Sequence, residues 1–236
     1  MELEKKKDLV KNLITYIQSK DSHKNLDDIR SVTAFSFYQN TEIFLVALIL
    51  SENVSDFNYC KQKINQDLAK EDLEIFDFTF DGFIKDAFFI KIFILVENHI
   101  KQIAELYETP ASKISDESIA KTFNNLLDQN KTELFANLTN RDKELFEFYC
   151  FLRNTIHNIG FQLKGTKSLQ IKDSESVINQ NEVIIDLIKN SANSLDFEKL
   201  ILFKEQIIKL IFKMNDLLPP NDFIEHRLVS IGFNGD

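Results

Sequence analysis

The sequence predicts a mainly α-helical protein: a helical bundle with extra N-terminal helices and one small β-hairpin late in the chain. Three observations predict it. The 236 residues include only five glycines and three prolines, so turn punctuation is sparse and long helices follow. Apolar residues recur at three- and four-residue spacing over most of the chain. The composition, 44% apolar and 28% charged with 22 phenylalanines, is that of a chain able to bury a core.

The elements follow in order. Leu9, Leu13, Ile14 and Ile17 set a first helix over residues 3–19, interrupted by Asp21 and Ser22. Asn25 or Asp27 caps a second helix that runs through Phe35, Tyr38 and Phe44 to about Leu50. A third helical stretch covers residues 57–73. Residues 75–81 alternate, with Phe76, Phe78 and Phe80 against Asp77, Thr79 and Asp81, which is strand period; Gly82 is expected to end this element. Residues 83–108 are apolar nearly all round, the mark of a central buried helix, stopped by Pro110. Ser115 or Asp116 starts a further helix, reaching about Asn130.

Asn140 is expected to cap the next helix, whose core stripe is Leu145, Phe148, Leu152 and Ile156; Gly160 suits its C-terminal cap. The period then changes. Residues 161–164, a Gly165-Thr166 turn and residues 168–172 read as a hairpin, and residues 182–187 as a strand or a helix start. A last long helix over 195–218 is stopped by Pro219-Pro220. Residues 227–231 could add a strand. A soft boundary near 74–82 divides an N-terminal helical unit, 1–74, from a second unit, 75–236.

Composition also narrows function. The net charge of −9 argues against broad capture of nucleic acid, though not against a small local basic site. Cys60 and Cys150 form neither a CxxC nor a disulfide framework, which suits a reducing cytoplasm. The N-terminus lacks the apolar stretch of a signal peptide, and the run Ile43 to Leu50 is too short to span a bilayer, so no membrane partner is expected. No phosphate-binding glycine loop and no nucleophile elbow occur. Asp77 to Gly82 mimics the start of a calcium loop, but its twelfth position is Phe88 rather than an acid. His23, His99 and His226 lack metal-ligand spacing, so neither metal nor cofactor is expected.

One segment stands apart: Arg153-Asn154-Thr155-Ile156-His157-Asn158. The chain has only four arginines and four histidines, and here one of each lies one helical turn apart. An arginine grips phosphate with a planar fork of donors. A histidine exchanges a proton near neutral pH. On a helix, Tyr149, Arg153 and His157 read as one row, with Asn154 and Asn158 beside it. Together they suggest metal-free RNA cleavage: His157 takes the 2′-hydroxyl proton, Arg153 neutralises the phosphate, and Asn154 orients, leaving a 2′,3′-cyclic phosphate. The plain alternative is that both cations sit at a helix C-terminus, where positive charge is favoured.

An Arg-Asn pair near the end of a late helix, with a histidine shortly after, resembles the HEPN superfamily over roughly residues 82–218. That resemblance implies an all-α bundle and a homodimer that brings two motifs into one cleft. It also implies metal-independent ribonuclease activity in toxin or defence systems, held in check by an antitoxin or regulatory protein. Arg153, Asn154 and His157 match the motif. Three residues separate arginine from histidine where the family has four to six. Glu97 followed by Lys101 resembles an accessory Glu-xxx-Lys on a partner helix; an ordinary helical ion pair explains it equally. The competing expectation is a non-catalytic helical interaction or adaptor module, with residues 1–74 as its contact surface.

Overall fold

A computed structural model describes residues 1–20, 25–107, 117–128, 133–158, 160–162, 165–173, 176–177 and 182–226. Among these are seven α-helices and one two-stranded hairpin. The helices are α1 (Leu3–Lys20), α2 (Ile29–Val54), α3 (Phe57–Lys63), α4 (Leu73–Tyr107), α5 (Ile119–Leu126), α6 (Asn140–His157) and α7 (Phe197–Leu217). The strands are β1 (Lys167–Lys172) and β2 (Glu182–Leu187). The expected mainly α class is what the chain adopts.

Short polar side chains set the helix starts. Asp28 caps α2 by accepting from the Arg30 amide, Asp56 caps α3, Ser118 caps α5 and Asp196 caps α7. For α6 the cap is Thr139 rather than Asn140, in a reciprocal box with Asp142. For α2 it is Asp28 rather than Asn25 or Asp27, because Asp28 also chelates Arg30 through Nε (2.7 Å) and Nη2 (2.8 Å) inside the fold. The third stretch is shorter than expected: α3 ends at Lys63, and a single 3-10 turn, Lys70–Asp72, leads into α4.

The expected strand over 75–81 is not formed. Those residues are the first turns of α4, which continues through Gly82. The alternating phenylalanines also satisfy a four-residue period. Phe80, Ile84 and Phe88 lie along one face and pack into the core. Asp77 and Asp81 lie along another, where Asp77 accepts from Ser55 (2.7 Å) and Asp81 pairs with Lys6 (2.6 Å) and Lys85 (3.1 Å). Phe78 points to solvent. Helix won because its faces find partners in α1 and α2.

Helix α4 is the hub, touching α2, α5, α6 and α7. The boundary expected near 74–82 therefore falls inside a continuous helix, and α1 and α2 share one hydrophobic core with α4 and α7. By length and composition α2 is long and apolar enough to cross a membrane; here it packs on α1 and α4.

The hairpin is also re-paired. β1 runs antiparallel to β2, from Lys167 opposite Leu187 to Lys172 opposite Glu182. Leu169, Ile171, Val183, Ile185 and Leu187 form its buried face, and β1 packs on α6. Phe161 and Gln162, expected as the first strand, make only single bridges to Ala192 and Lys189. Residues 163–164, the Asp21-Ser22 break, His23, Pro110, the Ser115/Asp116 helix start and the 227–231 strand lie outside the described residues.

Candidate functional site

A cleft of about 580 Å³ opens where α4, α5, α6 and β1 meet. Its volume is in the range of small-molecule sites. Helix α6 supplies Glu147, Cys150, Phe151, Arg153 and Asn154; α4 supplies Phe93 and Glu97; β1 supplies Lys167; the start of α5 supplies Ser118, Ile119 and Ala120. Two cations thus face two carboxylates over an apolar floor.

Arg153 is held in place. Its guanidinium lies 5.6 Å from the centre of the Phe93 ring, and its Nη1 donates to Asn154 Oδ1 at 3.2 Å. Arg153 and Asn154 therefore act as one unit on the cleft wall. Glu97 shares the cleft, with its carboxylate 2.8 Å from Lys101 one turn away.

His157 and Asn158 are exposed at the end of α6, and His157 is not part of the cleft wall. His157 has no hydrogen-bond partner among the described residues. Helix termination does not use the pair. The Asn158 amide donates to the carbonyls of Asn154 (3.0 Å) and Thr155 (3.2 Å), and the Gly160 amide donates to Thr155 (2.8 Å). Gly160 does this at φ +83°, as a C-terminal glycine should. The backbone thus closes the helix and leaves both side chains available.

Tyr149 belongs elsewhere. It is fully buried among Phe89, Phe93, Phe146 and Phe203, and burial pushes its phenol well above the usual value. Its hydroxyl accepts from Lys204 Nζ at 3.0 Å. The row read from the sequence drifts, because four residues turn a helix by about 40° more than one full turn. Tyr149 thus faces the core, Arg153 the cleft and His157 the solvent.

Sequence reasoning missed Glu147, Cys150, Phe151 and Lys167. Glu147, Phe151 and Asn154 do follow i, i+4, i+7 spacing, a face legible in the sequence. Lys167 reaches the cleft only because the hairpin packs on α6, which nothing local signals. Lys167 lies 4.8 Å from the Phe151 ring centre. Burial, then the carboxylates of Glu97 and Glu147, disfavour the Cys150 thiolate and push the thiol up to about 12, against the opposing pull of Arg153.

No family model, no curated protein and no solved structure matches the chain.

Proposed function

We propose that the end of α6 is the working surface of a HEPN-like, metal-independent ribonuclease, in which Arg153 and Asn154 hold a phosphate and His157 moves the proton. The observation that carries this reading is availability. Arg153 lines a nucleotide-sized cleft, and His157 stands exposed one turn further on with no partner among the described residues. A rare cation pair used merely to end a helix would bond the last carbonyls, and here the backbone does that.

In this reading His157 takes the ribose 2′-hydroxyl proton, the freed oxygen attacks the adjacent phosphorus, and the 5′-oxygen leaves. Arg153 stabilises the added charge on the phosphoryl oxygens. One histidine cannot be base and acid in the same step, so a second copy of the chain supplies the proton to the leaving oxygen. The products are a 2′,3′-cyclic phosphate and a 5′-hydroxyl. The test is RNA cleavage in EDTA by the wild type, Arg153→Ala and His157→Ala. Losses of about 10² to 10⁴ are expected for His157→Ala. Equal activity in all three proteins refutes the reading.

A second reading, an interaction module without chemistry, rests on α2. Phe35, Ile43, Val46, Ile49 and Leu50 are each between 46% and 65% exposed and share one face of that helix. The one charge among them, Glu42, accepts from the Tyr38 hydroxyl. The one cation of α2, Arg30, is buried, so this face of the helix offers no positive charge to an anionic membrane, whereas a second copy packed antiparallel offers the same apolar stripe. Val46→Glu should then abolish self-association in sedimentation experiments. An unchanged sedimentation profile removes α2 as the interface.

A further inference from the structure

The cleft carries chemistry that phosphate binding does not use. Glu147 lies six residues before Arg153 on α6, about 9 Å along the helix axis. Unlike Glu97, its carboxylate has no cation partner among the described residues. Its one hydrogen bond comes from Asn124 Nδ2, at a long 3.4 Å. An ionised carboxylate accepts hydrogen bonds and donates none, so it asks for a ligand with adjacent donors. One turn further stands Phe151, a half-buried ring in the cleft wall, with the Lys167 ammonium above it.

Among the RNA bases, guanine matches this arrangement. Its Watson–Crick edge carries two neighbouring donors, N1–H and the 2-amino group, beside one acceptor, O6. The edges of adenine and cytosine place a single amino donor beside an acceptor, and uracil has one N–H between two acceptors. A carboxylate facing any of these three leaves one of its oxygens opposite an acceptor. Single-stranded bases are read in this way, by edge hydrogen bonds and stacking on an aromatic side chain.

We propose that the cleft is a guanine-recognition subsite, in which Glu147 accepts from N1–H and the 2-amino group, the base takes the place of the Lys167 ammonium over the Phe151 ring, and the displaced Lys167 donates to O6. The inference rests on the RNA-cleaving reading and deepens it: Arg153 then holds the phosphate attached to the same nucleotide, and the preferred cleavage lies 3′ of guanosine. Both oxygens of Glu147 are engaged only by guanine, so the discrimination rests on that one side chain.

The experiment has two arms. In the first, the dinucleotides GpU, ApU, CpU and UpU are cleaved in EDTA by wild type and Glu147→Gln. Wild type should cleave GpU about tenfold to a hundredfold faster than ApU, and the ratio should fall at least tenfold in Glu147→Gln. In the second, binding of 3′-GMP and 3′-AMP is measured by calorimetry for wild type, Glu147→Gln and Lys167→Ala. Thermal melts show whether each variant is folded, and Lys167 is exposed enough to be changed without disturbing the core. Selective 3′-GMP binding that depends on Glu147, without any cleavage, supports the subsite and defeats the nuclease reading. Cleavage at equal rates after all four bases, with equal binding of the two nucleotides, overturns the subsite and leaves the nuclease reading standing.

Discussion

Lys204 offers a strict test of how the core is built. It is fully buried on α7, with Nζ 3.1 Å from the Phe89 carbonyl oxygen and 3.0 Å from the Tyr149 hydroxyl. The rings of Phe89 and Tyr149 lie 3.4 Å and 4.4 Å from it. No carboxylate pairs with it among the described residues. Two opposed effects act on its charge. Cation–π contacts in a dry site favour the ammonium by about 2 kcal/mol or somewhat more. Taking an unpaired ion out of water costs several kcal/mol even after relaxation. Desolvation is the larger, so the pKa of the folded amine is pushed well below the usual lysine value. The sign follows from proton binding. Wherever the folded amine is neutral and the unfolded one still charged, the unfolded state holds one more proton, so stability rises with pH. The slope is about 1.4 kcal/mol per pH unit, and the window closes at the unfolded lysine pKa near 10.5. Lys204→Met keeps most of the volume and removes the proton. Urea unfolding of both proteins between pH 7 and 9 should show the wild type gaining on the variant by about 1.4 kcal/mol per unit. Parallel curves would mean that Lys204 remains charged inside the fold and that burial does not outweigh the cation–π contacts.

Two further changes probe the fold near its joints. Gly160→Ala should cost about 1–3 kcal/mol in chemical denaturation, since a Cβ at φ +83° is strained and would lie 3.1 Å from the Asn193 carbonyl oxygen; a cost under 0.5 kcal/mol would refute it. Asp28→Ala should cost about 3–5 kcal/mol at pH 7, because it leaves the buried Arg30 with only the carbonyls of Pro219 and Asp222 in place of its paired carboxylate and removes the cap of α2. Burial pushes the Asp28 carboxyl up, but bonds from Arg30 and the Ile224 amide outweigh it and hold the carboxyl below its usual value. Its stabilisation is therefore complete above the ordinary carboxylate pKa and is lost as pH falls through the lowered folded value, so wild type and variant should converge in acid.

The long elements were legible because their signals are redundant. Helices α1, α4 and α7 repeat the same apolar spacing over many turns, so errors at one position do not matter. Residues 75–81 were misread because seven residues satisfy both a period of two and a period of four. Only the partners of Phe80, Asp77 and Asp81, which are remote in sequence, decide between them. The hairpin and its strand over 168–172 are as expected, but its partner strand differs for a similar reason. Phe161 and Gln162 sit nearest in sequence to β1, but the strand with the matching alternate burial is β2. At the site, Arg153 and Asn154 were visible as a local pair, and the structure sets them in a cleft. Tyr149 leaves the row because of helical drift. Lys167 arrives from the hairpin, and only tertiary packing brings it near Phe151.

The acid balance of the chain sets a limit on how it can meet RNA. With a net charge of −9, the body of the protein repels a polyanion. In the proposed ribonuclease reading, affinity for RNA is expected from the cleft, whose wall carries two cations, Arg153 and Lys167. For a single strand, each phosphate neutralised contributes about −0.7 to the slope of log affinity against log salt. An RNA held only through one cleft should therefore show a slope no steeper than about −1.4. Salt also screens repulsion from the acidic body over a Debye length of about 10 Å at 0.1 M, which flattens the slope further. Binding titrations between 50 and 300 mM salt with an RNA of about ten nucleotides, which has phosphates to spare beyond the cleft, read this directly. A slope near −1 places recognition in the cleft, by base and one phosphate. A slope steeper than about −3 would require four or more phosphates to be engaged, hence a basic surface outside the cleft, and would overturn the assignment of binding to the Arg153 wall.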